Sequence, residues 1–337
     1  MEKRIVWLDI IKGILITLVV LGHSIGCARL QLNQQFINDY FWKLIYSFHM
    51  PAFMAVSGYV AYRNKRISAD IASGLSVIFR RFRQLMIPFL LWSVALFFVR
   101  HNVEHYYDYI LIPNLSLWFL WALFFISAIF ILADWLSARM RSPQIVLMVV
   151  VAVLLVGLML IVPNAKLLGI EYVSYYFIFY TLGYYMHKYE LLKQISITWT
   201  IVLALLWFAL AQFWEAKETP IVLRWVSFVP SIVLQTGYRA VTATVAIFAL
   251  FSAVEKWGEC KILSKFFTLG QISLGIYAVH MVIRFKMVDA LVFLMPNINY
   301  WPLMITTFCL LLFISYCVVW LLGKWNITAS WLLGKLK

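Results

Sequence analysis

This sequence predicts an all-α polytopic membrane protein of about ten transmembrane helices with both termini in the cytoplasm. Three observations carry that prediction. Hydrophobic residues make up 64% of the 337-residue chain and charged residues only 12%, against roughly 25% charged in soluble domains. The apolar residues gather into runs long enough to cross about 30 Å of hydrocarbon. The basic residues fall mostly between those runs. A net charge of +14 would point to nucleic acid in a soluble chain, but spread between spans it reads as topology. The expected surroundings are therefore a lipid bilayer and not nucleic acid.

Taken in order, the spans are expected at 8–27, 41–62, 78–99, 116–136, 143–162, 171–187, 197–214, 233–254, 267–286 and 301–323. Lys3 and Arg4 before the first span, with Gly26-Cys27 at its end, imitate a lipoprotein leader. Asp9 and Lys12 interrupt its apolar core and Ser24 stands where leucine is expected, so the run reads as a retained span. Pro51 lies inside the second span and is expected to break its hydrogen-bond ladder near His49, giving a kink or a freed carbonyl there. In that span Ser57 and Gly58 read as small residues for close helix contact. Trp118 and Trp121 open the fourth span and read as an aromatic belt at the membrane surface. Pro220, Pro230 and Gly237 interrupt the hydropathy after the seventh, so residues 215–240 are expected to be partly interfacial or re-entrant.

With the N-terminus inside, the inner loops collect Lys3, Arg4, Arg63, Lys65, Arg66, Arg80, Arg81 and Arg83 among others. The outer ones hold residues such as Arg29, Arg100 and Lys166, about half as many basic groups in all, as the positive-inside rule requires. Cys27, Cys260, Cys309 and Cys317 form no CxxC pair and have no histidine at metal spacing, which argues against a disulfide framework or a metal site. With no internal repeat or low-complexity tract, residues 1–337 are expected to form one membrane domain.

The first span holds the strongest functional signal. LDIIKGILITLVVLGHS places Asp9, Lys12 and His23 in an otherwise apolar run, where a central charge costs roughly 2.5 to 3.5 kcal/mol. Lys12 and His23 are about three helical turns apart and so share one stripe, about 16 Å apart along it. Asp9, one turn before Lys12, shares that stripe. The bland alternative is a snorkelling Asp–Lys pair with a histidine at the far headgroups.

Other spans add to it. The expected boundaries put His23 about four residues below the outer end of span one, His49 about eight into span two, and His280 about six below the outer end of span nine. Each alone could be an interfacial histidine satisfied by a carbonyl; three at one depth point to a site. On span nine, LGQISLGIYAVH carries Ser273, Tyr277 and His280, with Arg284 following, at steps that share a face. A polar face on a membrane helix should meet a cavity or another helix. RRFRQLMIP offers Arg80 and Arg83 at the inner surface, either as topology signals or as a clamp for the phosphates of a nucleotide-like donor.

Together these segments resemble the acyltransferase-3 family of integral membrane O-acyltransferases. Lys12 with His23 is similar to its Arg-or-Lys, ten residues, His signature; FHMPAFMAVSGY to its HMPxFxxxSG segment; RRFR to its RxxR element; Trp118-Phe119-Leu120 to its WFL segment; and LGQISLGIYAVH to its late LGxxSxxIYxxH segment. Lys12 departs from the commoner arginine, keeping the charge but losing bidentate geometry. The resemblance implies transfer of an acyl group, usually acetyl from cytoplasmic acetyl-CoA as co-substrate, to a hydroxyl of a glycan or glycolipid acceptor. It implies a cell (inner) membrane location, and it does not reach the acceptor's identity. His23 is then the expected general base, or else the carrier of a covalent acyl group. His49 and His280 would orient the acceptor or support it, Lys12, Arg80 and Arg83 would serve the acyl-CoA, and Asp9, Ser273 and Tyr277 would support these groups. The competing class is a transporter or flippase of a lipid-linked glycan, for which internal repeats would be expected. A sensor without catalysis is the third.

Overall fold

The computed structural model describes residues 5–62, 71–100, 105–162, 167–258 and 260–335. Lys3, Arg4, Arg63, Lys65, Arg66, Lys166 and Lys337, which enter the expected topology, lie outside them. The described chain is helical throughout: α1 Val6–Gln31, α2 Tyr40–Tyr46, α3 His49–Ala61, α4 Ile71–Arg81, α5 Ile87–Arg100, α6 Asp108–Leu111, α7 Trp118–Met140, α8 Gln144–Ile161, α9 Ile170–Lys188, α10 Ile197–Ala211, α11 Ser231–Trp257, α12 Phe266–Gln271, α13 Ser273–Leu294, α14 Tyr300–Leu322 and α15 Asn326–Trp331. Among the described residues six helical stretches are long and apolar enough to cross a membrane, with Tyr40–Ala61 and Gly74–Arg100 each taken as one, or seven if the bent pair Leu263–Gln271 and Ser273–Leu294 is one span. The protein is an all-α polytopic membrane protein. All ten expected segments are helical, but Gln144–Leu158 and Ile197–Ala211 are short, and α9 carries Glu171, His187, Lys188 and many tyrosines.

By its contacts the chain divides into two compact units, Met1–Val56 with Glu190–Tyr316, and Ser57–Tyr189 with Cys317–Lys337. In the first, α1 is 26 residues long, about 39 Å at 1.5 Å per residue. Its buried charge is neutralised locally, because Lys12 Nζ lies 2.6 Å from Asp9 Oδ1. Gly270 of α12 packs on the Asp9 carbonyl, and Gly13 of α1 packs on the Phe266 carbonyl; a Cβ at either would collide with backbone. This small-residue contact holds α12 against α1. The chain then turns through 75° into α13, a break tolerable inside a membrane protein where other helices line it.

The opposite end of α1 is pinned by Asp39. Its carboxylate caps α2 at the Trp42 amide, 3.1 Å away, and accepts from Arg29 Nη2 at 2.7 Å and from Tyr300 Oη at 2.9 Å. Arg29 also lies 3.7 Å over the Tyr300 ring. Burial by itself pushes the Asp39 carboxyl up, and the hydrogen bonds from Arg29, the Trp42 amide and Tyr300 outweigh it, holding the group below its ordinary value. Ile25, Ala28, Trp42, Ile45, Trp214, Leu291, Leu303 and Met304 form the core beside it. Pro51, in the first turn of α3, has no N–H for the Ser47 carbonyl four residues earlier, and the helix is interrupted there, at Ser47 and Phe48 just before His49.

In the second unit, Pro88 has no N–H for the Gln84 carbonyl, and the chain widens into a π turn over Phe82–Met86. Gly334 packs against that carbonyl. Gln144 donates to Asp134 Oδ1 at 2.7 Å and accepts from Lys188 Nζ at 3.0 Å, tying α7, α8 and α9 together. Gly58 meets the Tyr180 carbonyl, the close contact expected of it. Trp121 is not a surface-belt residue: it is buried, and its indole donates to the Leu168 carbonyl at 2.8 Å. Residues 213–230, in the first unit, are irregular apart from a short 3-10 turn, with Trp225 and Phe228 exposed.

Candidate active site

The histidine site is assembled within the first unit from α1, α2, α3 and α13. His23 and His280 lie with ring centroids 5.3 Å apart and planes tilted by 40°. Tyr46 stands edge-on to both His23 and His49, at 6.5 Å and 4.6 Å. Tyr46 reaches this place because Gly22 leaves room, a Cβ there coming within 2.9 Å of its ring. Its other face stacks on Trp42 at 3.9 Å. The three histidines predicted to share a depth are thus linked through one tyrosine and one direct ring contact.

Helix ends did not set this meeting. α1 runs on to Gln31 and α13 to Leu294, so His23 lies about 12 Å and His280 about 21 Å from the C-terminal end of its own helix at 1.5 Å per residue.

Hydrogen bonds assign the ring protons. His49 Nδ1 lies 2.7 Å from the Ile45 carbonyl and His280 Nδ1 2.8 Å from the Ile276 carbonyl. A carbonyl only accepts, so both rings carry their proton on Nδ1 and present Nε2 as the acceptor. His23 is the reverse. Its Nδ1 pairs with Nη1 of Arg284, and a guanidinium only donates, so His23 accepts at Nδ1 and carries its proton on Nε2. His49 and His280 are buried while His23 and Arg284 are half-buried.

The other predicted residues lie elsewhere. Tyr277 is one turn before His280, with its ring 5.8 Å away. Ser273 begins α13, two turns below His280 and at the bend. Asp9 and Lys12 lie about 16 Å down α1 from His23, beside α12 and joined to each other. Arg80 and Arg83 are exposed residues of the second unit, on α4 and its π turn. Arg284 is the residue that the sequence reading left without a role; its signal was the shared face with Tyr277 and His280. Among the described residues no group of three or more His, Cys, Asp or Glu is arranged to hold a metal ion.

A family model described as an acyltransferase domain matches residues 5–323. Nodulation protein NolL of Sinorhizobium fredii is 39% identical over 97 residues, covering 28% of this chain and 25% of that protein. Nodulation protein NolL of Mesorhizobium japonicum is 33% identical over 124 residues, covering 34% of this chain and 32% of that protein. The chain spans about a quarter to a third of the length of these curated relatives. No solved structure matches.

Proposed function

Because the chain belongs to the acyltransferase family whose model spans residues 5–323, we propose that it is a membrane O-acetyltransferase. It moves acetyl from cytoplasmic acetyl-CoA to a hydroxyl of a cell-envelope or exported polysaccharide, or of its lipid-linked precursor. The observation that carries this reading is the meeting of His23 with His280 and, through Tyr46, with His49, inside a membrane domain. Imidazoles titrate near neutrality and suit the removal of a proton from an attacking hydroxyl.

In this reading His23 is the general base, and His49 and His280 orient the acceptor through their Nε2 acceptors. Tyr277 packs behind His280. Lys12, with Asp9 holding it, and Arg80 and Arg83 serve the acyl donor, the two arginines through their affinity for CoA phosphates. Ser273, at the start of α13, supports these groups by hydrogen bonding. The helices make ten crossings of the inner membrane, with both termini cytoplasmic. No metal takes part.

The test is acetyl-CoA turnover by the purified protein in nanodiscs, followed as free CoA with and without an envelope glycolipid extract. Glycolipid-dependent release supports the reading. A folded protein that binds no acetyl-CoA and releases no CoA with any extract contradicts it and favours transport of a lipid-linked glycan.

A further inference from the structure

Arg284 is a cation in the midst of a long helix, and its surroundings do not account for it as a topology signal. Ten residues of α13 follow it, about 15 Å of helix, so it is not a side chain snorkelling from a terminus. Among the described residues no carboxylate forms an ion pair with it. Its contacts include His23 Nδ1 and the Phe285 ring, 4.7 Å from the guanidinium. Its Nε–H is buried with no acceptor. A buried donor left without a partner is costly, the more so on a charged group, and native proteins keep few of them. A guanidinium with one arm on an imidazole and one donor waiting is built to receive a second acceptor, an oxygen carrying negative charge.

Resting on the acyltransferase reading above, we propose that Arg284 is the oxyanion-binding residue of the transfer and that, before substrate arrives, it holds His23 with the ring proton on Nε2. In the reaction the acceptor hydroxyl displaces the guanidinium from His23 Nδ1. Its oxygen attacks the thioester carbonyl carbon and its proton passes to Nδ1. The carbonyl electron pair moves onto oxygen, where the donors of Arg284 meet it. On collapse the C–S bond breaks, the CoA sulfur takes the proton from Nδ1, and Arg284 returns to the imidazole. One thioester and one alcohol become one ester and one thiol. The same residue thus sets which nitrogen of His23 acts as base and stabilises the charge that the base helps to create.

The experiment compares wild type with Arg284→Met, which removes every donor, and Arg284→Lys, which keeps the charge. The proteins are labelled with ¹⁵N-histidine in nanodiscs, with His23→Gln to assign the resonance, and kcat and KM for acetyl-CoA are measured alongside. In wild type and Arg284→Lys, His23 should read as the Nε2–H tautomer, and in Arg284→Met that preference should be lost. Arg284→Met should lower kcat about 10²-fold with KM changed less than about threefold, as for loss of an oxyanion donor, and Arg284→Lys should recover part of it. An unchanged His23 tautomer in Arg284→Met overturns the positioning role. A kcat within about threefold of wild type overturns the oxyanion role. A wild type without acceptor-dependent turnover overturns the acyltransferase reading, and the oxyanion role with it, while the tautomer still decides whether Arg284 positions His23.

Discussion

Gly270 on α12 lies so close to the carbonyl of Asp9 on α1 that no Cβ fits between them. The contact fixes where the broken span begins, and with it the direction in which α13 carries His280 toward His23.

Gly270→Ala should therefore destabilise the protein by about 1 to 3 kcal/mol, since the obstacle is backbone and cannot rotate away. Gly157→Ala is the internal control. Gly157 lies inside α8 with nothing within 4 Å of the place its methyl group would take, so alanine should be neutral or stabilise by up to about 1 kcal/mol through helix propensity. Thermal unfolding of both variants in one detergent gives the comparison, and equal effects would contradict the packing argument.

Asp39→Asn should cost about 3 kcal/mol at neutral pH, because it weakens the α2 cap and leaves Arg29 without its carboxylate. The folded-state value of Asp39 is depressed, so its contribution is fully present above the unfolded value of about 3.9 and is lost as pH falls through the folded value. Unfolding curves of wild type and variant should begin to approach one another below about pH 4 and meet only once pH has fallen through the folded value. A gap that stays constant into strong acid would show that the carboxylate's charge is not what stabilises.

Gln144→Leu should destabilise by about 2 to 4 kcal/mol, because leucine can neither donate to Asp134 nor accept from Lys188. Gln144→Glu should fare no better, placing a carboxylate beside Asp134. Recovery of stability in Gln144→Glu would mean that Lys188 and not Asp134 dominates the network; urea or thermal unfolding decides.

His280→Gln and His49→Gln should each lower turnover by about 10- to 10²-fold, less than loss of a base. Each glutamine still offers one hydrogen-bonding end to the acceptor. Turnover with the acceptor varied should show the loss falling on acceptor KM as well as kcat, and an effect confined to acetyl-CoA would move these residues to the donor side.

The helices were legible because apolar runs of this length leave no other reading, and the 3.6-residue period put Asp9, Lys12 and His23 on one stripe and Tyr277, His280 and Arg284 on another. What could not be read was how the stripes meet. That depends on Gly13, Gly22 and Gly270, whose close contacts are made with residues far along the chain or on another helix. The broken span was missed because no proline marks Ile272, whereas the interruption at Ser47 and Phe48 lies where Pro51 withholds an N–H from the Ser47 carbonyl. Trp121 has the composition of a belt residue, and only the partner carbonyl of Leu168 shows that it is inside. Arg284 was read on the polar face of a helix expected to stop at 286; with α13 continuing to Leu294, it lies in the middle of that helix.

The most direct test is transfer of radiolabelled acetyl from acetyl-CoA into the glycolipid fraction by wild type and His23→Gln in nanodiscs, with equal folding established by thermal unfolding. Wild type should place label in an alkali-labile ester, and His23→Gln should lose at least about 10²-fold of it. Label incorporated equally by His23→Gln would contradict a base at His23, and no ester label from folded wild type with any envelope extract would contradict the acetyltransferase itself.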